Sequence, residues 1–295
     1  MHGITIKCLA RLKSIIIIFM SVGMPAGIYA EKQPEYTRAE IKVSYRYHEK
    51  FLRGNTQYTE RDIPMLLLVN SKQSKFYCQG TEYKDSLKST PSGRAKAKQM
   101  MDIAVRKYIE SKDESAMNSI VYKTFMYIFK DYTLEQTTVY DKAGITEMGV
   151  YAEPFSELRW DIGDSTKTIL GYECVMATAH YHGRKWTAWF APEIPLQDGP
   201  WKLCGLPGLI LEAVEEKGHH SFIADGMVKS NQIMYPIYDK DRYESINRLD
   251  MLKSLRNYRD NSNSIAKAST GGMLDLGPDA PVQTEYDFLE TDYRL

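Results

Sequence analysis

The chain has 295 residues, with 38 basic and 38 acidic side chains and 43% hydrophobic residues. This length is sufficient to bury a sizeable core, and the hydrophobic content argues against wholesale disorder. The balanced charge argues against a dedicated nucleic-acid-binding protein, because phosphate binding requires a basic excess. We therefore expect a globular protein with no nucleic-acid partner.

The first 30 residues have the layout of a secretory signal peptide. Three basic residues precede an apolar run at 15–20, and residues 28–30 resemble a cleavage site that ends in Ala30. The apolar run is shorter than the about 20 residues that a transmembrane helix needs. We therefore expect residues 1–30 to be removed and the protein to be exported to the periplasm or cell envelope. No transmembrane span is expected to remain.

Short segments with alternating apolar and polar residues predict a mainly β protein. In residues 39–49, Ile41, Val43 and Tyr45 alternate with polar residues, as in a half-buried strand. Similar segments rich in Tyr, Thr and Val recur within residues 120–228, with turn signals and without helices between them. This spacing predicts a curved antiparallel sheet or half-barrel of the α+β class rather than βαβ units.

Two segments carry the period of a helix. At 92–110, pairs of apolar residues recur every four residues with Lys and Arg between them, which predicts one inserted amphipathic helix. A second helix is predicted over residues 241–258. Residues 31–260 are then expected to form a single β-rich domain. Residues 261–295 are predicted to be a polar, partly disordered C-terminal tail whose last aromatic residues pack on the body.

Three cysteines remain after removal of the signal peptide: Cys78, Cys174 and Cys204. An exported protein folds in an oxidising compartment, so a disulfide is permitted. Cys174 and Cys204 are the favoured pair if a disulfide forms, because both lie in one dense block of sequence. Buried free thiols remain the preferred interpretation.

Four histidines are candidate metal ligands. His180 and His182 alternate on one predicted strand, and His219 and His220 follow a predicted turn. They would converge only if these strands were neighbours, whereas a metal site requires three or four converging ligands. We therefore predict no metal and no cofactor, and we interpret these histidines as solvated hairpin residues.

Sequence motifs of common enzymes are absent. The chain has no Gly-x-Ser-x-Gly, His-Glu-x-x-His, phosphate-binding Gly-x4-Gly-Lys-[Ser/Thr], dinucleotide fingerprint or Cys-x-x-Cys. Acidic residues near predicted turns are expected without any catalysis. We assign no catalytic residue. The sequence leaves enzymatic activity open, but it favours a protein that is not an enzyme.

The strongest signal lies in residues 158–228, which hold all four tryptophans. This block contains Gly-Tyr-x-Cys at 171–174, Gly-Arg-x-Trp at 183–186, Ile-Pro-x-x-x-Gly-Pro-Trp-Lys at 194–202 and Gly-Leu-Pro-Gly-Leu-Ile at 205–210. In this order, the elements closely resemble the GLPGLI family of bacterial envelope proteins. The resemblance implies a secreted or periplasmic protein of the Bacteroidota cell envelope and no established catalytic activity.

The hexapeptide at 205–210 predicts an apolar turn. Pro207 and Gly208 suit the second and third positions of a type II turn, in which Gly208 has a positive φ. Leu and Ile residues surround this turn, so it is either packed under the rest of the protein or offered to an apolar partner. We favour the buried, structural role. The alternative is that the turn is exposed and binds an apolar partner.

The tryptophans at 186 and 189 present a similar choice. In a strand, residues three apart face opposite sides of the sheet. One of the two fits the core, and the other is covered by a helix or available for contact, with Arg184 or Lys185 able to stack on an indole. The candidate binding residues are therefore Trp186, Trp189, Leu206, Pro207 and Ile210.

These features favour a non-catalytic cell-envelope protein that binds or carries an apolar or amphipathic partner, either an envelope protein or a ligand. A curved sheet closed by the helix at 92–110 would suit a carrier, by analogy of fold alone. One alternative is a structural accessory subunit of an outer-membrane complex, and the other is a hydrolase with an unrecognised site. An apolar cavity of about 300 Å³ or more would favour the first function.

Overall fold

The structure is a computed structural model that describes residues 37–53, 57–142, 147–269, 271–272 and 288–294. The predicted signal peptide lies outside these residues. The strands are β1 (Ile41–Arg53), β2 (Gln57–Val69), β3 (Gln73–Tyr77), β4 (Tyr127–Asp131), β5 (Gln136–Lys142), β6 (Met148–Pro154), β7 (Asp161–Ile169), β8 (Tyr172–Tyr181), β9 (Arg184–Ala191), β10 (Leu209–Glu215), β11 (His220–Lys229) and β12 (Tyr243–Ser245). The helices are α1 (Gln79–Lys88), α2 (Pro91–Ser111), α3 (Arg248–Asp260) and α4 (Ser262–Ser269).

These twelve strands belong to one sheet, in the order β12-β6-β5-β4-β3-β2-β1-β11-β10-β9-β8-β7. β1 lies between two arms: the first arm (β2–β6) continues from one of its edges and the second arm (β7–β11) from the other. Neighbouring strands are antiparallel except β12 and β6, which are parallel. This large open sheet with a few helices confirms the predicted mainly β, α+β class.

Two-residue turns close the hairpins of the second arm. Leu170 and Gly171 join β7 to β8, and His182 and Gly183 join β8 to β9, with positive φ at all four residues. Positive φ at both central positions is the type I′ geometry, whose twist matches that of the flanking strands. His182 is therefore a turn residue and not the strand residue that its spacing from His180 predicted.

Side chains of both arms enter one core on the inner face of the sheet. Ile128 and Val139 of the first arm and Trp186 and Phe222 of the second arm are nearly fully buried in this cluster. Trp186 stacks on Phe222 with ring centroids 6.1 Å apart, and its ring centroid lies 5.5 Å from that of Trp201. The sheet therefore curves around a core that is centred on aromatic rings.

The outer face carries a smaller apolar cluster on the first arm. Leu68 and Tyr77 are buried there beneath Met234 and Ile237, which belong to the segment between β11 and β12. Residues 65–69 of β2 are apolar without alternation, because both faces of this strand are covered.

α2 confirms the helix predicted at 92–110, but it does not close the sheet. Thr90 caps the helix by accepting a hydrogen bond from Gly93 N at 3.1 Å, and Pro91 occupies the first helical position. α2 packs along α1, and its apolar side chains Met101 and Ile109 are 47% and 59% exposed. The expectation that this helix covers the sheet is wrong, because helical periodicity does not specify which surface a helix packs on.

The second helix begins later than predicted, at residue 248 rather than 241. Residues 243–245 form β12, and Asn247 caps α3 by accepting a hydrogen bond from Leu249 N at 2.9 Å. Met251 and Leu252 of α3 are buried, and Met251 belongs to the inner core. α3, rather than α2, covers the inner face.

The region after residue 260 contains a helix that the sequence did not predict. α4 occupies residues 262–269, within the segment predicted as a partly disordered tail. Phe288 is buried, and its ring lies edge-on to that of Tyr293 at 5.7 Å, as expected for aromatic residues that pack on the body. Among the described helices, none is long and apolar enough to span a bilayer.

Candidate functional site

The connection between β9 and β10, residues 192–208, contacts both arms of the sheet, and we call it the bridging loop. Gly205 N donates to Gln197 O at 3.0 Å, and Ile210 N donates to Asp198 O at 2.8 Å. Trp160 Nε1 donates to Cys204 O at 2.8 Å. These hydrogen bonds fix a loop that has no regular secondary structure of its own.

Lys130 of β4 forms the first contact between the bridging loop and the first arm. It follows Ile128 at strand spacing and therefore points to the inner face. Its ammonium lies 2.5 Å from Asp198 Oδ1 and donates to the carbonyl oxygens of Gly199 and Leu203 at 2.8 and 3.2 Å. Both charged side chains are 0% exposed, so each replaces part of the hydration that the other has lost.

Glu153 of β6 forms the second contact. The fully buried Lys202 ammonium lies 2.9 Å from Glu153 and 2.7 Å from Glu290. These contacts are ion pairs rather than aligned hydrogen bonds. Tyr181, at the end of β8, donates to Glu153 Oε1 at 3.0 Å. The bridging loop and β8 therefore meet β6 at the Glu153 carboxylate, and Lys202 links the C-terminal segment (residues 288–294) to the same place through Glu290.

His182 and Arg248 surround the same carboxylates. His182 ring nitrogens lie 3.3 Å from Glu153 and 3.3 Å from Asp292. Arg248 of α3 donates to Glu290 at 2.7 Å and to Asp292 at 2.5 Å. We call these residues the charge cluster: Glu153, His182, Lys202, Arg248, Glu290 and Asp292.

Main-chain hydrogen bonds also hold the C-terminal segment. Arg184 Nε donates to Phe288 O and Leu289 O at 3.1 and 3.0 Å. Thr291 N donates to His182 O at 3.0 Å. Arg184, which the sequence suggested as a stacking partner for a tryptophan, instead positions this segment across the β8–β9 hairpin.

The electrostatics of Glu153 indicate what the charge cluster can do. Burial opposes ionisation of this carboxyl group, but the Lys202 charge and the hydrogen bond with His182 outweigh burial and lower the pKa to about 2. A general acid at neutral pH needs a raised pKa. The cluster is therefore suited to holding elements together rather than to donating protons.

Two sets of residues in this region have the spacing of metal ligands: Glu153, Glu157 and His182, and His182, Glu290 and Asp292. Lys202 already contacts Glu153 and Glu290, and Arg248 already contacts Glu290 and Asp292. A metal ion would have to compete with both resident cations for the same carboxylate oxygens.

A cavity of about 440 Å³ lies between the inner face and α3. Ile63, Val139 and Tyr151 line it from the sheet, and Trp201 lines it from the bridging loop. Further apolar lining residues come from α3, the C-terminal segment and the residues just before β4: Met251, Leu252, Leu255, Phe288, Leu289, Phe125 and Met126. Sequence reasoning did not identify this cavity, because its walls come from distant parts of the chain.

The five residues predicted to bind a partner are not among the described residues that line this cavity. Three of them are nearly fully buried in the core: Trp186, Leu206 and Ile210. Pro207 is exposed, and Trp189 is half-buried on the other side of β9 from Trp186. The Lys167 ammonium lies 4.4 Å from the ring centroid of Trp189. Partner binding by these five residues stays a prediction.

The turn in the hexapeptide differs from the predicted type II turn. Gly208 N donates to Leu206 O at 2.8 Å, which closes a three-residue γ-turn centred on Pro207. The positive φ falls on Gly205, at 86°, and not on Gly208. Gly208 is required for a different reason, because a Cβ there would lie 2.3 Å from Ala191 O.

Cys78, Cys174 and Cys204 are free and buried, which confirms the preferred interpretation. Burial raises the pKa of the Cys204 thiol to about 12. Since the thiolate is the nucleophilic form, Cys204 is not activated for nucleophilic catalysis.

The histidines do not converge, because β8 and β11 are not neighbours in the sheet. His180 is exposed, whereas His182 belongs to the charge cluster. A ring nitrogen of His220 lies 2.9 Å from the Tyr47 hydroxyl. The prediction of solvated hairpin histidines is therefore wrong for His182 and His220, which are buried.

The charged residues of the bridging loop were not recognised from the sequence. Asp198 is one of the acidic residues that fall near predicted turns, and Lys202 is the last residue of the motif at 194–202. Lys130 offered the one local signal, since it occupies the inward position of a strand where an apolar residue is expected. Glu153 gave no signal, because its partners lie far along the chain.

The family model described as "Protein of unknown function (Porph_ging)" matches residues 181–212, which include the whole bridging loop. None of the curated proteins compared matches the chain.

Two solved structures show distant likeness. A structure of PNGF-II is 12% identical with a TM-score of 0.47, and the match covers 75% of this chain and 34% of that chain. This chain therefore spans about a third of the length of PNGF-II. A domain named for outer membrane lipoprotein sorting, from Vibrio parahaemolyticus, is 6% identical with a TM-score of 0.24, and the match covers 69% of this chain and 89% of that chain. Neither likeness indicates a function for this chain.

The hexapeptide glycines provide the first testable prediction. Gly208→Ala should lower the free energy of unfolding by about 2–3 kcal/mol, because the added methyl group overlaps a backbone oxygen in a packed region. Gly205→Ala is the matched control, with a positive φ but no atom within 4 Å of the new Cβ; it should cost about 1 kcal/mol. Chemical denaturation measures both values. If Gly208→Ala lowers the free energy of unfolding by no more than Gly205→Ala does, the explanation that Gly208 is required by its closeness to Ala191 O is contradicted.

The charge cluster predicts a specific acid sensitivity. Because the pKa of Glu153 falls from 4.5 to about 2 on folding, its contribution is present above pH 4.5 and is lost as the pH falls toward 2. Glu153→Gln should therefore lose stability at pH 7 and show a flatter decline between pH 4.5 and 2 than the wild type. Denaturant unfolding across this range tests the prediction. Glu216→Gln, at a side chain that is 64% exposed, should keep the wild-type slope, and the same slope for Glu153→Gln would refute the assignment.

Proposed function

We propose that the chain is an exported, non-catalytic cell-envelope protein that binds or carries an apolar or amphipathic partner. The observation that carries this proposal is the cavity of about 440 Å³ between the inner face and α3. Pockets for small ligands occupy about 300–1,000 Å³ and are lined mainly by apolar and aromatic side chains. The cavity meets both criteria.

The charge cluster supports this function by fixing the cavity walls. Trp201 precedes Lys202 in the chain, and Leu289 precedes Glu290, so each wall residue is next to a buried ion pair. Arg248 ties the beginning of α3 to the same carboxylates. Walls that are held in place before binding reduce the entropy that a ligand must overcome.

The hydrolase alternative receives little support. The Glu153 carboxylate is held ionised by Lys202 and His182, and the Cys204 thiol has a raised pKa. Both shifts run opposite to what a general acid or a thiol nucleophile needs. The inner face is therefore better suited to binding than to acid–base or nucleophilic chemistry.

One observation favours the accessory-subunit alternative. Met101, Val105 and Ile109 of α2 are exposed by 47%, 36% and 59%. Exposed apolar side chains clustered on one helix are common at contacts between proteins. α2 is thus the surface through which the protein would join a larger assembly.

Export rests on the predicted signal peptide and on the resemblance to envelope proteins, which includes the segment that the family model matches. The mature protein should begin near Glu31. N-terminal sequencing of protein recovered from the envelope fraction measures this directly. Recovery of intact residues 1–30 in a membrane pellet would contradict both cleavage and the proposed location.

Ligand binding in the cavity can be tested with N-phenyl-1-naphthylamine, an uncharged apolar fluorophore. The mature protein should bind this probe saturably. Leu255→Trp places a larger ring in the cavity and should weaken binding at least about tenfold, which corresponds to about 1.4 kcal/mol. Fluorescence titration measures the dissociation constants.

Leu249→Trp is the matched control, because Leu249 lies on the same helix, is 37% exposed and is not among the cavity-lining residues. It should bind the probe like the wild type. Leu255→Phe provides a milder filling variant if Leu255→Trp does not fold, as judged by circular dichroism. No saturable binding by the wild type, or equal binding by the filling variants, would overturn the proposed function.

A further inference from the structure

A second cavity of about 260 Å³ adjoins the large one. The two share Tyr122, Phe125 and Lys142 as lining residues. The rings of Tyr122 and Phe125 stack with centroids 4.7 Å apart, so this aromatic pair stands where the two cavities meet. A ligand in the large cavity can therefore extend one end past these rings.

Cations line the smaller cavity. Lys88, Lys142 and Arg242 come from α1, the end of β5 and the turn before β12. The Lys88 ammonium lies 4.7 Å from the Tyr122 ring centroid, and the Lys142 ammonium lies 4.7 Å from the Phe125 ring centroid. Within the described residues, neither lysine forms an ion pair, and Arg242 reaches Asp239 only at 4.0 Å.

Two acidic residues also line this cavity and must be weighed against the cations. Asp85 accepts hydrogen bonds from the hydroxyl groups of Tyr122 and Tyr127 at 3.0 and 2.7 Å. Asp239 is the distant partner of Arg242. The lining therefore carries three positive and two negative charges, and the Asp85 carboxylate already has two donors.

The Lys142 side chain is half-buried and lies close to other positive charges. Burial and the nearby positive charges of Lys88 and Arg242 lower its pKa, although Glu147 acts in the opposite direction. A bound anion would relieve this repulsion and would replace the lost hydration.

Besides the shared Lys142, the charged residues that line the large cavity are Lys123 and Asp141, which carry opposite charges, and three residues that form ion pairs. Arg61 pairs with Glu49, and Glu290 pairs with Lys202 and Arg248. The large cavity is therefore neutralised on that side and positive where it meets the smaller one. This asymmetry matches a molecule with an apolar body and one negatively charged end.

We propose that the natural ligand is a single-chain amphiphile with a carboxylate head group, a long-chain fatty acid in chemical class. The apolar chain occupies the large cavity, and the carboxylate binds among Lys88, Lys142 and Arg242. A single chain fits because about 440 Å³ lies near the lower limit of ligand pockets. This inference rests on the proposed function and adds the charge and position of the head group.

The test compares three ligands with the same chain on the mature protein: dodecanoate, its uncharged methyl ester and dodecyltrimethylammonium. Each is titrated against bound N-phenyl-1-naphthylamine. Dodecanoate should displace the probe at concentrations about tenfold or more below those of the other two, as expected for hydrogen bonds to a charged group. Higher ionic strength should reduce this preference, because the cations are partly exposed.

Variants locate the head group. Lys142→Gln and Arg242→Gln should each lower the ratio of dodecanoate affinity to methyl ester affinity, and Lys142→Arg should keep it. Lys98→Gln is the control, because Lys98 is 78% exposed on α2, outside both cavities, and it should leave the ratio unchanged.

The outcomes separate the two proposals. Equal displacement by all three ligands would overturn the head-group inference and leave the proposed function standing. Preference for dodecanoate that survives both Gln variants would also overturn it, because the carboxylate would then lie elsewhere. Failure of the wild type to bind the probe at all would overturn the proposed function itself.

Discussion

Two buried ion-pair contacts between the bridging loop and the first arm determine how the two arms of this open sheet are placed relative to each other. In the described sheet, β12 and β7 stand at opposite edges and do not pair, so backbone hydrogen bonds alone do not fix the distance between the arms. Lys130 with Asp198, and Lys202 with Glu153, provide that constraint from fully buried positions. Removing one partner of such a pair leaves an uncompensated charge, at a cost of about 3–5 kcal/mol. The ion pairs therefore add little net stability. Any other arrangement of the arms would leave a buried charge unpaired and would be disfavoured.

The cavity and the proposed function follow from this constraint. The same loop that reaches β4 and β6 carries Trp201 into the cavity wall, and the carboxylates that receive Lys202 and Arg248 hold α3 and the C-terminal segment above the inner face. The buried ion pairs thus fix the positions of these elements, and apolar side chains form the surface that a ligand would contact. Lys142 lies away from these ion pairs, with its ammonium 4.7 Å from the Phe125 ring centroid, at the place where the proposed ligand would put its carboxylate. A carrier needs both properties: walls that do not collapse when empty, and one polar end that orients its cargo.

Much of the fold could be predicted from the sequence because its signals are local. The alternation of apolar and polar residues predicted the β class, and the helical period of apolar residues predicted α2. The odd spacing of Trp186 and Trp189 predicted that they lie on opposite faces of the sheet. The site could not be predicted, because its contacts are not local: Lys130 and Asp198 are 68 residues apart, and Tyr151 and Glu290 are 139 apart. The hexapeptide shows the same limit. Pro207 and Gly208 correctly indicated a turn, but the need for glycine at 208 comes from Ala191 on a neighbouring strand, which composition does not reveal.

The most direct measurement of the central claim is the free energy of unfolding of Lys130→Met beside a matched control. Methionine keeps the length and apolar stem of lysine but leaves Asp198 buried without its cation, and we predict a loss of about 3–5 kcal/mol. Lys167→Met removes a partly exposed partner of Glu212 and should cost no more than about 1 kcal/mol. Denaturant titration of both variants at neutral pH gives the comparison. A large gap between the two losses is the predicted result. Equal, small losses would show that the arms are held by apolar packing alone and would contradict the account.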